Sequence, residues 1–437
     1  MNQVKHTINF LLENSLFLIF GAVGGLVWAN TDYESYQSLV HLELFKSDLF
    51  YDHAVAKQPG NPHIFTLHYL VNDLLMAFFF AIAGKEVWEA TFPGGPLSNA
   101  KKAATPLIAT IGGMAGPALF YVAGVAFLGL EVLDPSTGES VSGAVIDENT
   151  GELVNLNNGW AIPCATDIAF SYMIARIVFG AGHPAIPFLL LLAIADDALG
   201  LIILAVFYPQ GEVQPLWMLL PVAGMMVGFG MQKMKIHNFW PYLFGPGLMS
   251  WIGFTQAGLH PALGLLPIIV TLPHAASDEG IFNWRELDKH DTLNEFEHWW
   301  KNPVEIILGL FGLLNAGVVF SAMGDVTWLV LAGLLVGKPI GIWLCAMFAA
   351  RTLKFGFPEG MGGKDVLVLG FAAGIGFTVA LFVATVAFPG GTVVQGAAKM
   401  GALFSFGAAI LTIVAGKVLG VERVEGDPDA GHGHGHH

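Results

Sequence analysis

The sequence predicts an all-α, polytopic membrane protein with twelve transmembrane helices, and three observations carry that expectation. Hydrophobic residues make up 54% of the 437 residues and charged residues only 12%, a balance unlike that of a soluble domain. Apolar stretches of about 20 residues, the length that crosses a bilayer, recur along nearly the whole chain. Basic residues between those stretches collect on alternate sides.

The stretches centre near Phe20, Ala77, Met114, Ala169, Asp196, Ala223, Leu248, Leu265, Gly312, Gly337, Phe377 and Ile410. The first follows Lys5 and His6 as a secretory signal would, but Glu13 interrupts its apolar run and no small-residue cleavage site follows. With the N-terminus in the cytoplasm, that side carries Lys5, Lys85, Lys101, Lys102, Arg176, Lys233, Lys235, Arg285, Lys289, Lys301, Arg351, Lys354, Lys364, Lys417 and Arg423. The outer side carries only Lys46, Lys57 and Lys399. Both ends are therefore expected in the cytoplasm. Residues 1–421 read as one transmembrane domain, and 422–437 as a disordered acidic, His-rich tail. The tail's histidines could bind a transition metal loosely or belong to a dispensable end.

Two outer segments are long. Asn30 to His63 links the first two spans. Gly129 to Asn158 carries six acidic residues and no basic one; it reads as a solvated excursion, with cation capture at an outer mouth as the alternative. On the cytoplasmic side, 283–302 mixes Trp284, Leu287, Phe296, Trp299 and Trp300 with charges, as either an interfacial helix or a plain connector would. Cys164 and Cys345 both fall inside spans, so they form neither a disulfide framework nor a metal cage. The net charge of −15 gives no basic face for nucleic acid.

Three spans contain residues that hydrocarbon tolerates poorly. The fifth holds Asp196 and Asp197, about 18 Å along the helix from its start. Each would cost roughly 2.5 to 3.5 kcal/mol at the centre of a span. Neighbours on a helix point about 100° apart, so the two carboxylates cannot turn the same face to one partner; one could hold a structural contact while the other meets solvent or ligand. The fourth span places Pro163 just before Thr166 and Asp167, a sequence poorly suited to an unbroken helix. A break there exposes backbone groups and dipole ends; Asp167 could neutralise a positive end, and Thr166 or a freed carbonyl could coordinate a cation. The eleventh span repeats the pattern with Gly374, Gly376 and Thr378. Lys338 stands in the middle of the tenth.

Spans three to five and ten to twelve are offset by seven crossings, so corresponding members run in opposite directions. Broken spans at matching places in inverted repeats point to a transporter's binding site. Any one of these residues could instead pair with backbone or a neighbouring span, and a glycine pair could serve close packing. Four costly residues, Asp167, Asp196, Asp197 and Lys338, at one depth argue for a shared ion site. Hard cations take oxygen ligands. A carboxylate in a poorly hydrated site can hold a proton or a cation, each excluding the other. If the site opens to the two sides in turn, that competition is an exchange mechanism.

At these residues the chain resembles the NhaA family of sodium/proton antiporters. The matching stretches are VNDLLMAFFFAIAGKEV (71–87), GWAIPCATDIAF (159–170), LAIADDALG (192–200), GLHPALG (258–264), NAGV (315–318), GKPIGI (337–342) and GIGFTVALF (374–382). They span nearly the whole membrane portion in order. The resemblance implies crossed broken helices in spans four and eleven, and an inward-facing funnel leading to the aspartate pair. It makes Asp197 the principal Na+ ligand, with Asp196 alternating between Lys338 and the ion. Thr166 and Asp167 flank the ion, Asp167 also balancing the broken-helix dipoles. Glu86, with Lys85 beside it, is implied in the pH response. The implied activity is electrogenic exchange of Na+ or Li+ for a larger number of H+ across a bacterial inner membrane, with no cofactor and no enzyme activity.

Departures from the family pattern are Lys85 where an apolar residue is usual, Cys164 where Ala is common, and the acidic segment 129–158, which looks like an insertion. The first outer loop has no clear match to the hairpin that joins family dimers, so a homodimer is carried over from the family alone. An alternative keeps the fold but couples Na+ to an organic solute, for which no pocket signature appears. Intramembrane aspartyl proteolysis would need a GxGD signature that the chain lacks, and a passive channel is disfavoured by a competing carboxylate site.

Overall fold

The computed structural model describes residues 16–47, 50, 64–92, 95, 97, 100–134, 139–147, 151–274 and 291–425. Among the described residues, six helices are long and apolar enough to cross a membrane: α3 (Leu67–Ala90), α4 (Ala100–Leu128, qualifying over Ala103–Leu128), α7 (Ala185–Phe207), α8 (Pro215–Lys233), α12 (Asp325–Thr352) and the span formed by α15 (Val393–Phe404) with α16 (Gly407–Val418). Two bent pairs bring the number to eight. They are α5 (Leu156–Cys164, wound as a 3-10 helix) with α6 (Ile168–Phe179), bent by 47°, and α13 (Gly363–Ala373) with α14 (Phe377–Ala387), bent by 54°. The fold is thus mainly helical, with breaks at the two places the sequence marked.

The chain divides into two compact units. The first comprises residues 1–98, 198–323 and 382–400. Its described part holds α1 (Leu16–Thr31), α2 (Tyr33–Val40), α3, α8, α9 (240–256), α10 (Leu266–Ile269) and α11 (Thr292–Asn315). Its core gathers Phe65, Tyr69, Tyr242, Trp251 and Phe296. A Cβ on Gly21 of α1 would lie 1.9 Å from the Gly309 carbonyl of α11, so small residues allow these two backbones to touch.

The second unit comprises 99–197, 324–381 and 401–437. Phe179, Phe188, Leu189, Ile342 and Leu369 lie in its core. Here α4 and α12 meet along a glycine seam. A Cβ on Gly341 would fall 2.0 Å from the Gly112 carbonyl, and one on Gly116 would fall 2.4 Å from the Gly337 carbonyl.

Several expectations change. The stretch around Leu265 is not one continuous helix; it forms a 3-10 turn, Pro261–Leu263, and the four-residue α10. Pro261, Gly264 and Pro267 interrupt a run whose hydropathy alone reads as a span. The acidic segment 129–158 folds in its described part into two antiparallel hairpins, β3 (Glu131–Leu133) with β4 (Ser140–Ser142) and β5 (Ala144–Ile146) with β6 (Leu153–Asn155). The first outer segment also contributes a strand, β1 (Glu43–Lys46), paired antiparallel with β2 (Ile64–Thr66), and Phe45 stacks on Phe65 at 4.4 Å.

The described part of 283–302 is neither a connector nor a separate interfacial helix. It is the first half of α11, with Leu293 and Phe296 in the core and Trp299 exposed. Residues 422–425, expected in the tail, are partly tied to the second unit. Val424 donates its N–H to the Phe179 carbonyl at 2.8 Å and accepts from Gly182 N–H at 3.1 Å. The remainder, 426–437, lies outside the described residues.

Candidate functional site

The two helix breaks meet inside the second unit. Between α5 and α6 the backbone at Ala165 and Asp167 is extended. Pro163 supplies no N–H to bond back along the first half. Between α13 and α14, Gly374–Gly376 passes so close to the first break that a Cβ on Gly376 would lie 3.0 Å from the Ala165 carbonyl. The Asp167 N–H donates to the Ile375 carbonyl at 2.7 Å. Each break thus satisfies part of the other's exposed backbone, as apolar surroundings require.

Side chains complete the pairing. Asp167, 6% exposed, is the N-cap of α6: Oδ1 accepts from Phe170 N–H at 3.3 Å. Its Oδ2 accepts from Thr378 N–H at 3.3 Å and from the Thr378 hydroxyl, in the first turn of α14. One carboxylate therefore faces the positive ends of both α6 and α14. At the opposite ends, Ser171 Oγ donates to the Ala372 carbonyl at 2.8 Å and Thr166 Oγ1 to the Ala373 carbonyl at 3.2 Å, both in the last turn of α13.

Asp196 lies beside this junction, 3% exposed. Its Oδ2 receives the Thr166 hydroxyl at 2.7 Å and the Lys338 ammonium at 2.9 Å. Lys338 is fully buried and also donates to the carbonyl of Cys164, the last residue of α5, where a cation opposes the negative end of that half-helix. A hydroxyl carries one proton, so Thr166 can serve Asp196 or Ala373, and the shorter, charged bond to Asp196 prevails. The other carboxylate oxygen, Asp196 Oδ1, is buried and, among the described residues, meets no hydrogen-bond donor. An acceptor left bare in a buried place is costly and suits a cation. Asp197, half-buried, points about 100° away around α7.

The structure thus brings together Asp196, Thr166, Lys338 and, through the paired breaks, Asp167. Glu86 and Lys85 lie in the first unit and do not form a pair there. Lys85, 4% exposed, reaches Glu89 at 2.6 Å one turn along α3 and Glu297 of α11 at 2.5 Å, whereas Glu86 is exposed. Glu89 was within reach of sequence reasoning from its i, i+4 spacing. Glu297, 212 residues away, carried no such signal. Ser171 gave none either, and Thr378 stood out only as the residue beyond the glycines.

Comparison with known proteins fits this arrangement. The family described as Na+/H+ antiporter 1 matches residues 7–128 and 144–419. The interval 129–143, left out of that match, coincides with the β3–β4 hairpin, which narrows the insertion expected over 129–158. A curated Na(+)/H(+) antiporter NhaA from Jannaschia sp. (strain CCS1) is 51% identical over 440 residues, covering 95% of this chain and 99% of the relative. The protein of the same name from Desulfitobacterium hafniense (strain DSM 10664 / DCB-2) is 46% identical over 430 residues, covering 97% and 99%. That from Geobacter sulfurreducens (strain ATCC 51573 / DSM 12127 / PCA) is 43% identical over 425 residues, covering 96% and 100%. With matches of this extent across both units and through both helix breaks, the chain belongs to the NhaA family of Na+/H+ antiporters.

Proposed function

We propose that the protein is an electrogenic Na+(Li+)/H+ antiporter of a bacterial inner membrane, with Na+ and H+ as substrates competing for Asp196 and Asp197. The observation that carries this reading is the bare, buried Oδ1 of Asp196 beside two paired helix breaks. Asp197, Asp196 Oδ1 and Thr166 Oγ1 supply hard oxygen ligands. When the ion enters, Asp196 gives up its bond to Lys338; when a proton replaces the ion, the carboxyl no longer needs either cation. Asp167 holds the starts of α6 and α14, and Lys338 holds the end of α5.

The breaks provide the element with two arrangements that alternating access needs. Twelve crossings, the eighth of them short, inverted repeats over spans three to five and ten to twelve, and cytoplasmic termini complete the proposed topology. Glu86 and Lys85 shape the pH response, and family likeness suggests a homodimer.

The test is sodium-induced collapse of an acid-inside pH gradient in proteoliposomes, scanned from about pH 6 to 9. Collapse with Na+ but not choline, faster at a favourable membrane potential, is expected, and Asp197→Asn should abolish it in a folded protein. Normal exchange by that variant would remove the aspartate pair from the mechanism. Lys85→Met should change the pH of half-maximal exchange; an unchanged profile would leave Lys85 as a packing residue.

A further inference from the structure

The last span is interrupted between α15 and α16, and the two residues at the interruption reach the helix breaks. Ser405 is fully buried. Its hydroxyl donates to the Ala402 carbonyl at 2.6 Å, which fixes the rotor and leaves the oxygen free to accept from Gly376 N–H at 3.3 Å. Gly376 is the last residue of the second break, directly before α14. Phe406, next in the chain, packs its ring at 4.4 Å from Phe377, the first residue of α14, and at 5.1 Å from Phe170, in the first turn of α6. Phe170 and Phe377 face each other edge-on at 6.1 Å. This short interruption therefore touches the starts of both half-helices that Asp167 caps.

We propose that Ser405 and Phe406 are positioning residues for the cation site, holding the starts of α6 and α14 where one Asp167 carboxylate can serve both. This rests on the proposed role of the aspartate site. Without the Ser405 oxygen, the Gly376 N–H has no acceptor in a buried place and the start of α14 must move to find one. Thr378, two residues on, moves with it. The effect reaches the ion only through the bonds between Thr378 and Asp167. Ordinary packing would affect yield and thermal stability without that route.

The experiment is a double-mutant cycle read as the Na+ concentration for half-maximal exchange in proteoliposomes. Ser405→Ala and Thr378→Val should each raise it about tenfold, the scale of one lost buried hydrogen bond, with the maximal rate retained. The double variant should be clearly less than about a hundredfold worse, because Thr378→Val already removes the hydroxyl bond through which part of the Ser405 effect travels, leaving only the backbone bond from Thr378 N–H. Additive effects, about a hundredfold together, or an unchanged half-saturation in Ser405→Ala, would overturn the positioning role. If Ser405→Ala does not fold, Phe406→Leu replaces it in the same cycle with the same expectation. Asp197→Asn is run alongside. Its activity would sink the site reading, whereas its inactivity with a failed cycle would sink only the positioning role.

Discussion

Asp167→Asn should destabilise the protein, although it changes one atom and keeps the side chain's shape. The carboxylate uses both oxygens: Oδ1 for Phe170 N–H, and Oδ2 for the backbone and hydroxyl of Thr378. An amide offers one oxygen and two N–H donors, so one half-helix start keeps its cap while the other faces a donor. Loss of a cap costs about 0.5 to 2 kcal/mol. Loss of the charge at two helix starts adds roughly 0.3 to 1 kcal/mol for each. The amide also removes the cost of burying a charge, which acts in the opposite direction. The net expectation is a loss of about 2 kcal/mol. Asp167→Ala, which caps neither start, should lose more.

The assay is thermal unfolding of the purified protein in detergent at one fixed scan rate, since unfolding of such proteins is commonly irreversible. A fall of a few degrees is expected for Asp167→Asn, somewhat below the roughly 2 to 4 °C per kcal/mol of smaller proteins because the chain is longer. A midpoint equal to or above wild type in both variants would show that charge burial outweighs capping, and the dual-cap argument would fail.

Lys338→Ala strands the buried Asp196 carboxylate and the Cys164 carbonyl together, so about 3 to 5 kcal/mol should be lost and the pH profile of exchange altered; an unchanged profile would assign the lysine to packing alone. His183, in the loop before α7, is buried, and its Nδ1 accepts from Ala185 N–H at 3.1 Å. Burial pushes its pKa down, against the smaller opposing pull of Asp365 and Glu422. The unfolded chain then binds the proton more readily, so stability is lost as pH falls below about 6.5. His183→Asn, which keeps an acceptor and cannot titrate there, should narrow the gap between melting midpoints at about pH 7.5 and 5.5; an unchanged gap would place the acid sensitivity elsewhere. Gly341→Ala should sharply reduce the yield of folded protein, because its Cβ would meet the Gly112 carbonyl at 2.0 Å and backbone cannot move aside as a side-chain tip can. A normal yield with unchanged melting would contradict the seam between α4 and α12.

The sequence by itself determined what solvent and local backbone chemistry dictate. Helical spans follow from the cost of apolar residues in water and of bare peptide groups in hydrocarbon. Breaks near Pro163 and Gly376 follow from a missing N–H in one residue and a missing Cβ in the other. The mid-span aspartates were legible because a charge there is too expensive to be accidental.

The same local measure misread Leu265, where apolar residues coincide with two prolines, and it gave no sign that the acidic excursion carries two hairpins. The tertiary structure alone decided partnership. Lys338 and Asp196 are 142 residues apart, Thr378 and Asp167 are 211, and Ser405 and Gly376 are 29. A single hydrogen-bond donor or acceptor carries no record of its partner. That choice is made by packing, when glycine seams and crossing breaks bring particular backbone groups within 3 Å and exclude the water that would otherwise satisfy them.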